Sequence, residues 1–120
     1  MYTKKVLECF SKTKHAEEMK NPDSVGEVGN VKCGDIMRIY LKIKEGKITN
    51  ISYLTYGCVA AIASTEALCK IVKGKTLQEA LKINHKDVIK ELDKLPTVKI
   101  HCSSLSIEAL RKAIENYKES

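Results

Sequence analysis

Aromatic side chains are scarce in this sequence: its 120 residues contain no tryptophan, one phenylalanine and five tyrosines. Proteins that bind single-stranded nucleic acids stack the bases on aromatic rings, and this chain offers few such rings. The 21 lysines and arginines outnumber the 15 aspartates and glutamates, giving a formal charge of +6, but they are spread from Lys4 to Lys118. Specific nucleic-acid binding favours basic residues clustered on one face, so we expect no nucleic-acid partner.

Long apolar segments are also missing, since no run approaches the roughly 20 residues that span a bilayer. The first five residues, Met1 to Lys5, lead into a charged segment that has no signal-type apolar core. We therefore expect a cytoplasmic protein with no membrane partner. The length of 120 residues predicts a single domain, residues 1–120, with a hydrophobic core of its own.

The five cysteines include no C-x-x-C pair, and this absence argues against a zinc ribbon or a thioredoxin-type redox centre. An odd number of cysteines without a secretory signal also argues against a disulfide framework. The cysteines are therefore expected to be reduced thiols that are available for metal or redox chemistry.

The start of the chain predicts a helix followed by an irregular segment. Apolar residues recur at helical spacing from Val6 to Phe10, and a polar continuation to Met19 would make residues 1–20 an N-terminal helical segment that can be mobile. Asn21-Pro22 ends this segment. Three glycines between residues 23 and 34 then indicate a loop or a poor edge strand.

The middle of the chain predicts a hairpin and a helix. Apolar and polar residues alternate from Asp35 to Lys44, and a strand pattern resumes from Lys47 to Tyr56. Glu45-Gly46 between them is a tight-turn pair, so the two runs form an antiparallel hairpin. Val59 to Val72 changes to helical spacing, and Gly74 ends that helix.

The last third of the chain predicts two short helices and one long helix. Thr76 opens a capping box, and Asn84 caps the helix that follows it. After an extended segment from Leu95 to Ile100, Ser103 or Ser104 can cap the final helix. The predicted fold class is α+β, with a small antiparallel sheet of about three strands covered on one face by helices.

Three cysteines lie where one predicted element meets the next: Cys33 before the hairpin, Cys58 before the long helix and Cys102 before the last helix. Side chains at element ends project toward one edge of a layer, so these sulfurs can converge despite their separation along the chain. Asp35 and His101 adjoin them and would add an oxygen and a nitrogen ligand. Because a helix N-terminus stabilises a thiolate, we expect lowered pKa values for Cys58 and Cys102.

Two glycines support a metal-site interpretation of these residues. Gly34 separates Cys33 from Asp35, and Gly57 precedes Cys58. Glycine allows unusual backbone dihedrals and a close approach of a metal or sulfide to the backbone. Spacing alone does not choose the metal, since zinc and iron–sulfur clusters share these ligands.

These stretches, in this order, resemble the IscU scaffold and the N-terminal scaffold domain of NifU, over about residues 22–117. The stretches that carry the resemblance are Val25-Gly-Glu-Val-Gly-Asn30, Cys33-Gly-Asp-Ile-Met37, Thr55-Tyr-Gly-Cys58 through Ala61-Ile-Ala-Ser64, Val72-Lys-Gly-Lys75, and Leu95 through Ser103. The resemblance implies an IscU/SufE-like fold and an assembly scaffold, rather than a turnover enzyme, on which a [2Fe-2S] and in some cases a [4Fe-4S] cluster is built and transferred.

The resemblance also implies roles for the candidate residues. Cys33, Cys58 and Cys102 would hold the cluster, and His101 or Asp35 would fill the fourth position. Cys102 matches the family's usual persulfide acceptor, which receives sulfur from a cysteine desulfurase. The finished cluster would pass to apo iron–sulfur acceptor proteins.

Two departures from the family pattern bear on the predicted cluster site and its partners. Val59-Ala60 stands where the family usually has glycine-serine, which would narrow the site or remove a hydrogen bond to sulfide. Leu95-Pro96-Thr97-Val98-Lys99 has threonine in place of the second proline of the motif that an Hsp70-type chaperone recognises, which puts dependence on that chaperone in question.

Two alternative functions remain open from the residues. A SufU-like, zinc-bound sulfurtransferase would pass sulfur onward without building a cluster; that branch carries an insertion between its second and third cysteines and usually lacks the histidine present here as His101. A zinc-stabilised binding module would hold Zn²⁺ in the same ligands for structure alone.

The remaining cysteines and histidines are not placed in the site. Cys69 follows an apolar helical stretch and is expected to be a small core residue. Cys9 lies on the first helix and its role is left open. His15 and His85 have charged neighbours and are expected to be solvated surface residues.

Overall fold

A computed structural model of the protein describes residues 2–30 and 34–119, and their side chains except at positions 30, 118 and 119. Its sheet contains three antiparallel strands within that range, in the order β1-β2-β3. The strands are β1 Ser24–Asn30, β2 Asp35–Lys44 and β3 Lys47–Tyr56. The α-helices are α1 Lys4–Ser11, α2 Val59–Val72, α3 Leu77–Leu81, α4 His85–Glu91 and α5 Ile100–Glu119.

The predicted hairpin is confirmed. Glu45 and Gly46 both have positive φ, of 54° and 75°, as a two-residue turn between twisted strands requires. Along β2, Asp35, Met37 and Ile39 are buried while Ile36 and Arg38 are exposed, as expected for a strand with one covered face. The glycine-rich stretch predicted as a loop or poor edge strand is the edge strand β1.

The helices cover one face of the sheet, so the predicted α+β architecture is confirmed. Helix α5 lies against β1 and α2 lies against β3. A Cβ at Gly26 in β1 would stand 2.3 Å from the backbone nitrogen of Ala113 and 2.4 Å from the carbonyl oxygen of Ala109. Strand and helix therefore meet almost backbone to backbone, which fixes how deeply α5 sits on the sheet.

Local capping signals place the shorter helices as predicted. The Thr76 side chain accepts a hydrogen bond from the Glu79 backbone, and the Glu79 carboxylate accepts one from Thr76 in return. Asn84 and Asp87 form the same reciprocal arrangement at the start of α4. Each capping box satisfies two backbone donors that would otherwise have no partner within the helix.

Two helix boundaries differ from the sequence-based expectation. Helix α1 ends at Ser11 rather than continuing to Met19, because the residues after it supply no apolar stripe to bury. The segment from Leu95 to Ile100 is not extended throughout: Thr97–Lys99 forms a 3₁₀ turn that runs directly into α5 at Ile100. Ser103 is therefore inside the helix, where its hydroxyl donates to the carbonyl of Ile100 instead of capping.

His15 is not the solvated surface residue that the sequence suggests. Its ring nitrogen Nδ1 lies 2.5 Å from Oε2 of Glu66, and its backbone N–H donates to Oε1 of the same carboxylate. Glu66 is fully buried in α2 and also accepts a hydrogen bond of 3.1 Å from the hydroxyl of Tyr53. We call these three residues the buried carboxylate cluster.

Neighbouring backbone closes much of the outer edge of β3. The N–H of Tyr53 donates to the carbonyl of His15, and the N–H of Ile48 donates to the carbonyl of Lys75. The Ile48 carbonyl in turn accepts from the N–H of Gly74.

Over residues 2–30 and 34–119, no helix has the length and apolar character to cross a bilayer.

Candidate metal centre

Three element ends meet at one end of the sheet and carry the predicted ligands there. Asp35 is the first residue of β2 and points to the helix-covered face, where it is buried. Cys58 is the N-cap residue of α2, with extended backbone, and Cys102 lies in the first turn of α5. One ligand atom from each of the three lies within 4.8 Å of those of the other two.

The two sulfurs are spaced as a shared metal ion would require. Two thiolates that each bind a tetrahedral ion at about 2.3 Å stand about 3.8 Å apart. The Sγ atoms of Cys58 and Cys102 are 3.8 Å apart, and both cysteines are free thiols. The side chains are thus arranged for a metal without having formed a disulfide.

His101 borders this group and faces two of its members. Its Nε2 lies 3.6 Å from the sulfur of Cys102 and 3.8 Å from Oδ2 of Asp35. Its side chain is 45% exposed, whereas that of Asp35 is 6% exposed. We use the name ligand cluster for Asp35, Cys58 and Cys102 together with His101 at their rim.

The two glycines beside the ligands differ from each other. Gly34 has a φ of 74°, as the prediction of an unusual backbone dihedral there requires. Gly57 does not have a left-handed φ, so the expectation of unusual dihedrals is wrong for that residue. A Cβ at Gly57 would lie 2.4 Å from Oδ1 of Asp35, so the space left by the missing side chain is taken by the carboxylate.

The expected lowering of the pKa of Cys102 is wrong. Burial, followed by the neighbouring Cys58 sulfur and the Asp35 carboxylate, raises the pKa of Cys102 to about 12. Desolvation of the thiolate outweighs the helix terminus here because the side chain is fully buried. Without a bound cation, the site therefore keeps Cys102 as a neutral thiol.

Lys99 is a neighbour of the site that the sequence reasoning did not single out. The Cys58 sulfur raises the pKa of Lys99, and Tyr2 and Cys102 add to the effect. A lysine two residues before a histidine-cysteine pair that opens a helix is a signal that could have identified it. Its ammonium group is a positive charge beside sulfurs that become anionic when they bind a metal.

The other predicted residues fall into two groups. Cys33 lies outside the described residues, so its predicted place among the ligands stays a prediction. Cys9 and Cys69 are buried away from the ligand cluster, and burial raises the pKa of each. Cys69 is a fully buried core residue, as predicted.

Comparison with known proteins places the whole chain in one family. The family model of the NifU-like N-terminal domain matches residues 1–120. The iron–sulfur cluster assembly scaffold protein IscU 1 of Archaeoglobus fulgidus is 44% identical over 117 residues, covering 98% of this chain and 76% of that protein. The nitrogen fixation protein NifU of a Nostoc species is 44% identical over 125 residues, and the match spans 42% of its length.

Solved structures agree on the fold. A NifU-like N-terminal protein from Brucella abortus superposes with a TM-score of 0.82, at 20% identity, over 98% of this chain and 94% of that one. A SufU protein from Fervidobacterium islandicum gives a TM-score of 0.79, at 23% identity, over 94% of this chain and 96% of that one. Family model and relatives agree over nearly every residue, and the chain belongs to the family of NifU-like N-terminal domains.

Proposed function

We propose that this chain is a scaffold on which an iron–sulfur cluster is assembled and from which it is transferred. The observation that carries the proposal is the meeting of one carboxylate and two thiols within 4.8 Å, where three element ends converge. Thiolates are the usual ligands of such clusters, and Cys33 would supply the third. The iron and sulfide are cargo that the protein binds and releases.

In this proposal, Cys102 accepts the sulfur. Its thiolate attacks the outer sulfur of a persulfide carried by a cysteine desulfurase. A new S–S bond forms on Cys102, the original S–S bond breaks, and the desulfurase cysteine leaves as a thiolate. Because the pKa of Cys102 is raised, a cation in the site, either the entering iron or the Lys99 ammonium, would favour the reactive form.

Asp35 makes the site suitable for release. A carboxylate oxygen is a hard ligand in a set otherwise rich in sulfur, so it binds an iron–sulfur cluster less well than a fourth cysteine would. We expect Asp35→Ala to lengthen the lifetime of an assembled [2Fe-2S] cluster, measured as the decay of visible absorbance in air. Glu115→Ala removes an exposed carboxylate from α5 and is the control; an unchanged or faster decay in Asp35→Ala would contradict this role.

The proposal is tested by anaerobic reconstitution. The purified chain is mixed with ferrous iron, cysteine, a cysteine desulfurase and a thiol reductant that converts persulfide sulfur to sulfide, and iron, sulfide and visible absorbance are measured before and after. We expect the chain to gain iron and sulfide in about equal amounts together with visible absorbance, whereas a mixture without sulfide-bearing chromophore would reject the scaffold function. Desulfurase stimulation with zinc retained throughout would instead identify a SufU-like sulfurtransferase, and a colourless, zinc-bound chain without stimulation would identify a zinc-stabilised binding module.

Transfer to partners is the second half of the proposed function. The cluster would pass to an apo iron–sulfur acceptor protein, which can be followed by the acceptor's own spectrum. Val98 is 76% exposed in the 3₁₀ turn beside the site, so the segment that differs from the chaperone motif is accessible. Because Thr97 replaces the second proline, the proposal does not require an Hsp70-type chaperone for transfer.

A further inference from the structure

Five of the six glycines of the chain occur where the structure requires glycine, for one of two reasons. Gly34, Gly46 and Gly74 have φ values of 74°, 75° and 90°, and a Cβ at any of them would meet nothing within 4 Å. At these three positions, the backbone has a left-handed conformation that residues with a side chain rarely adopt. Gly26 and Gly57 lack a left-handed φ and are crowded instead, so at these two positions the missing side chain itself is the reason.

Gly57 is crowded by a proposed ligand. A Cβ at this position would lie 2.4 Å from Oδ1 of Asp35 and 3.1 Å from its Cγ. Carbon atoms essentially never approach an oxygen as closely as 2.4 Å, so either the carboxylate or the backbone would have to move. The next nearest atom, the Cβ of Ala61 at 3.1 Å, requires only a shift of a few tenths of an ångström.

The position of Asp35 leaves its carboxylate little other room. It begins β2 on the helix-covered face and is 4% exposed, with the first turns of α2 and α5 beside it. Gly57 directly precedes Cys58, so the backbone that would crowd the carboxylate is the same backbone that presents a sulfur ligand. A methyl group there would push the Asp35 carboxylate out of its place beside the sulfurs of Cys58 and Cys102.

We propose that Gly57 is a positioning residue, whose missing Cβ lets the Asp35 carboxylate lie beside the two cysteine sulfurs as a metal ligand. A chain with alanine at this position would keep Cys58, His101 and Cys102 at the site but lose the oxygen. The consequence of losing this oxygen for cluster release rests on the proposed function. The loss of the oxygen from the ligand set does not rest on it, and it can be measured with a simple divalent ion.

The test is a double-mutant cycle on metal binding by the purified full chain. Zn²⁺ affinity is measured by competition with a chromophoric chelator, and Co²⁺ is used as a spectroscopic probe of the ligand set, for Gly57→Ala, Asp35→Ala and the double variant. We expect Gly57→Ala and Asp35→Ala each to weaken Zn²⁺ binding by about tenfold to 100-fold and to give the same altered Co²⁺ spectrum. In the double variant, we expect no further loss, because the two changes remove the same oxygen.

Three results would overturn the proposal. Losses that multiply in the double variant would show that Gly57 acts independently of Asp35. A Gly57→Ala chain that binds Zn²⁺ like the wild type would show that the carboxylate is not displaced. An Asp35→Ala chain with unchanged Zn²⁺ affinity would show that there is no oxygen ligand to position.

Folding is controlled in two ways. Gly29→Ala is the matched control, since its Cβ would meet the side chain of Ile36 at an ordinary 3.6 Å, and it should leave Zn²⁺ affinity and the Co²⁺ spectrum unchanged. If Gly57→Ala does not fold, the double variant decides: recovery of the thermal transition on adding Asp35→Ala supports the proposal, and failure to recover rejects it.

The cluster measurement separates this inference from the proposed function. If the chain is a scaffold, Gly57→Ala should lengthen cluster lifetime by the same factor as Asp35→Ala. If no cluster assembles on the wild type, the scaffold function fails while the Zn²⁺ and Co²⁺ cycle still decides the role of Gly57.

Discussion

The ligand cluster and the buried carboxylate cluster contain similar side chains but differ in their hydrogen bonding. Each has a buried carboxylate and a histidine, with cysteines nearby. In the buried carboxylate cluster, Glu66 accepts hydrogen bonds from the ring and backbone of His15 and from Tyr53. In the ligand cluster, Asp35 accepts no hydrogen bond from any side chain that the structure describes, and its Oδ2 lies 3.8 Å from Nε2 of His101.

The difference teaches what separates a structural cluster from a metal site. A carboxylate whose lone pairs are occupied by donors is stable without any ligand and has little to offer a cation. A carboxylate beside two sulfurs and an imidazole has neighbours that are themselves metal ligands, so one cation can bind several of them at once. Cys9 shows the same contrast, since its sulfur lies 3.7 Å from the ammonium of Lys70 and already has a positive neighbour.

The largest expected effect is on the buried carboxylate cluster. Glu66→Ala leaves the Tyr53 hydroxyl and the His15 ring without their buried acceptor, so we expect a loss of about 3 kcal/mol in the free energy of unfolding. Urea denaturation measures this, and Zn²⁺ affinity should stay within about twofold of the wild type. Glu66→Gln keeps an acceptor and should lower the free energy of unfolding by less. A large fall in Zn²⁺ affinity in either folded variant would contradict the separation of the two clusters.

The ligand cluster should show the reverse response. Cys102→Ser removes a thiolate ligand, and because loss of an outer partner already costs about tenfold to 100-fold in metal affinity, we expect a fall of more than about 100-fold for Zn²⁺. Chelator competition measures it. The matched control is Cys69→Ala, which changes a buried cysteine away from the site and should leave Zn²⁺ affinity unchanged while lowering stability by about 1 kcal/mol.

A smaller effect is expected from pH on the metal-free chain. Folding raises the pKa of Cys102 from an ordinary value of about 9 to about 12, so the folded state favours the neutral thiol. That contribution to stability is complete below about pH 9 and is lost as the pH rises toward 12. At pH 10.5, we expect the wild type to have lost about 2 kcal/mol relative to Cys102→Ala, compared with their difference at pH 7.

Parallel urea titrations of the two chains at both pH values measure this difference, because every titratable group other than Cys102 is present in both chains. A constant difference between wild type and Cys102→Ala across that interval would mean that the burial of Cys102 does not disfavour its thiolate.

The smallest effect should come from the exposed member of the ligand cluster. His101→Ala removes a half-exposed imidazole from the rim, and we expect Zn²⁺ affinity to fall by about tenfold or less, since the other ligands stay in place. Isothermal titration of the apo chain measures the change, with His85→Ala as the control. A loss as large as that of Cys102→Ser would move His101 from the rim into the centre of the ligand set.

Much of the fold was predictable because its signals are local. The alternation of β2, the Glu45-Gly46 turn and the capping box at Thr76 each depend on residues within a few positions of one another. The convergence of Asp35, Cys58 and Cys102 was predictable for a related reason. Each residue lies at an element end, and packing helices on one face of a short sheet brings such ends together.

What the sequence could not supply depends on distant contacts and on depth of burial. The pairing of His15 with Glu66 joins residues 51 positions apart. Its only local signal is that Glu66 is the one carboxylate in the largely apolar α2. The pKa of Cys102 was expected to fall because helix position is readable from sequence, whereas burial, which decides its direction, is not. The Asp35 contact with Gly57 likewise appears only once the two chain segments are placed side by side.

The closed edge of β3 has a consequence for the chain before it receives any metal. Unpaired backbone groups along a sheet edge are a template on which a second molecule can add a strand, the first step toward amyloid-like association. Here the carbonyls of His15 and Lys75 already occupy the N–H groups of Tyr53 and Ile48. At these two positions, a second molecule therefore finds no unpaired N–H group on which to add a strand.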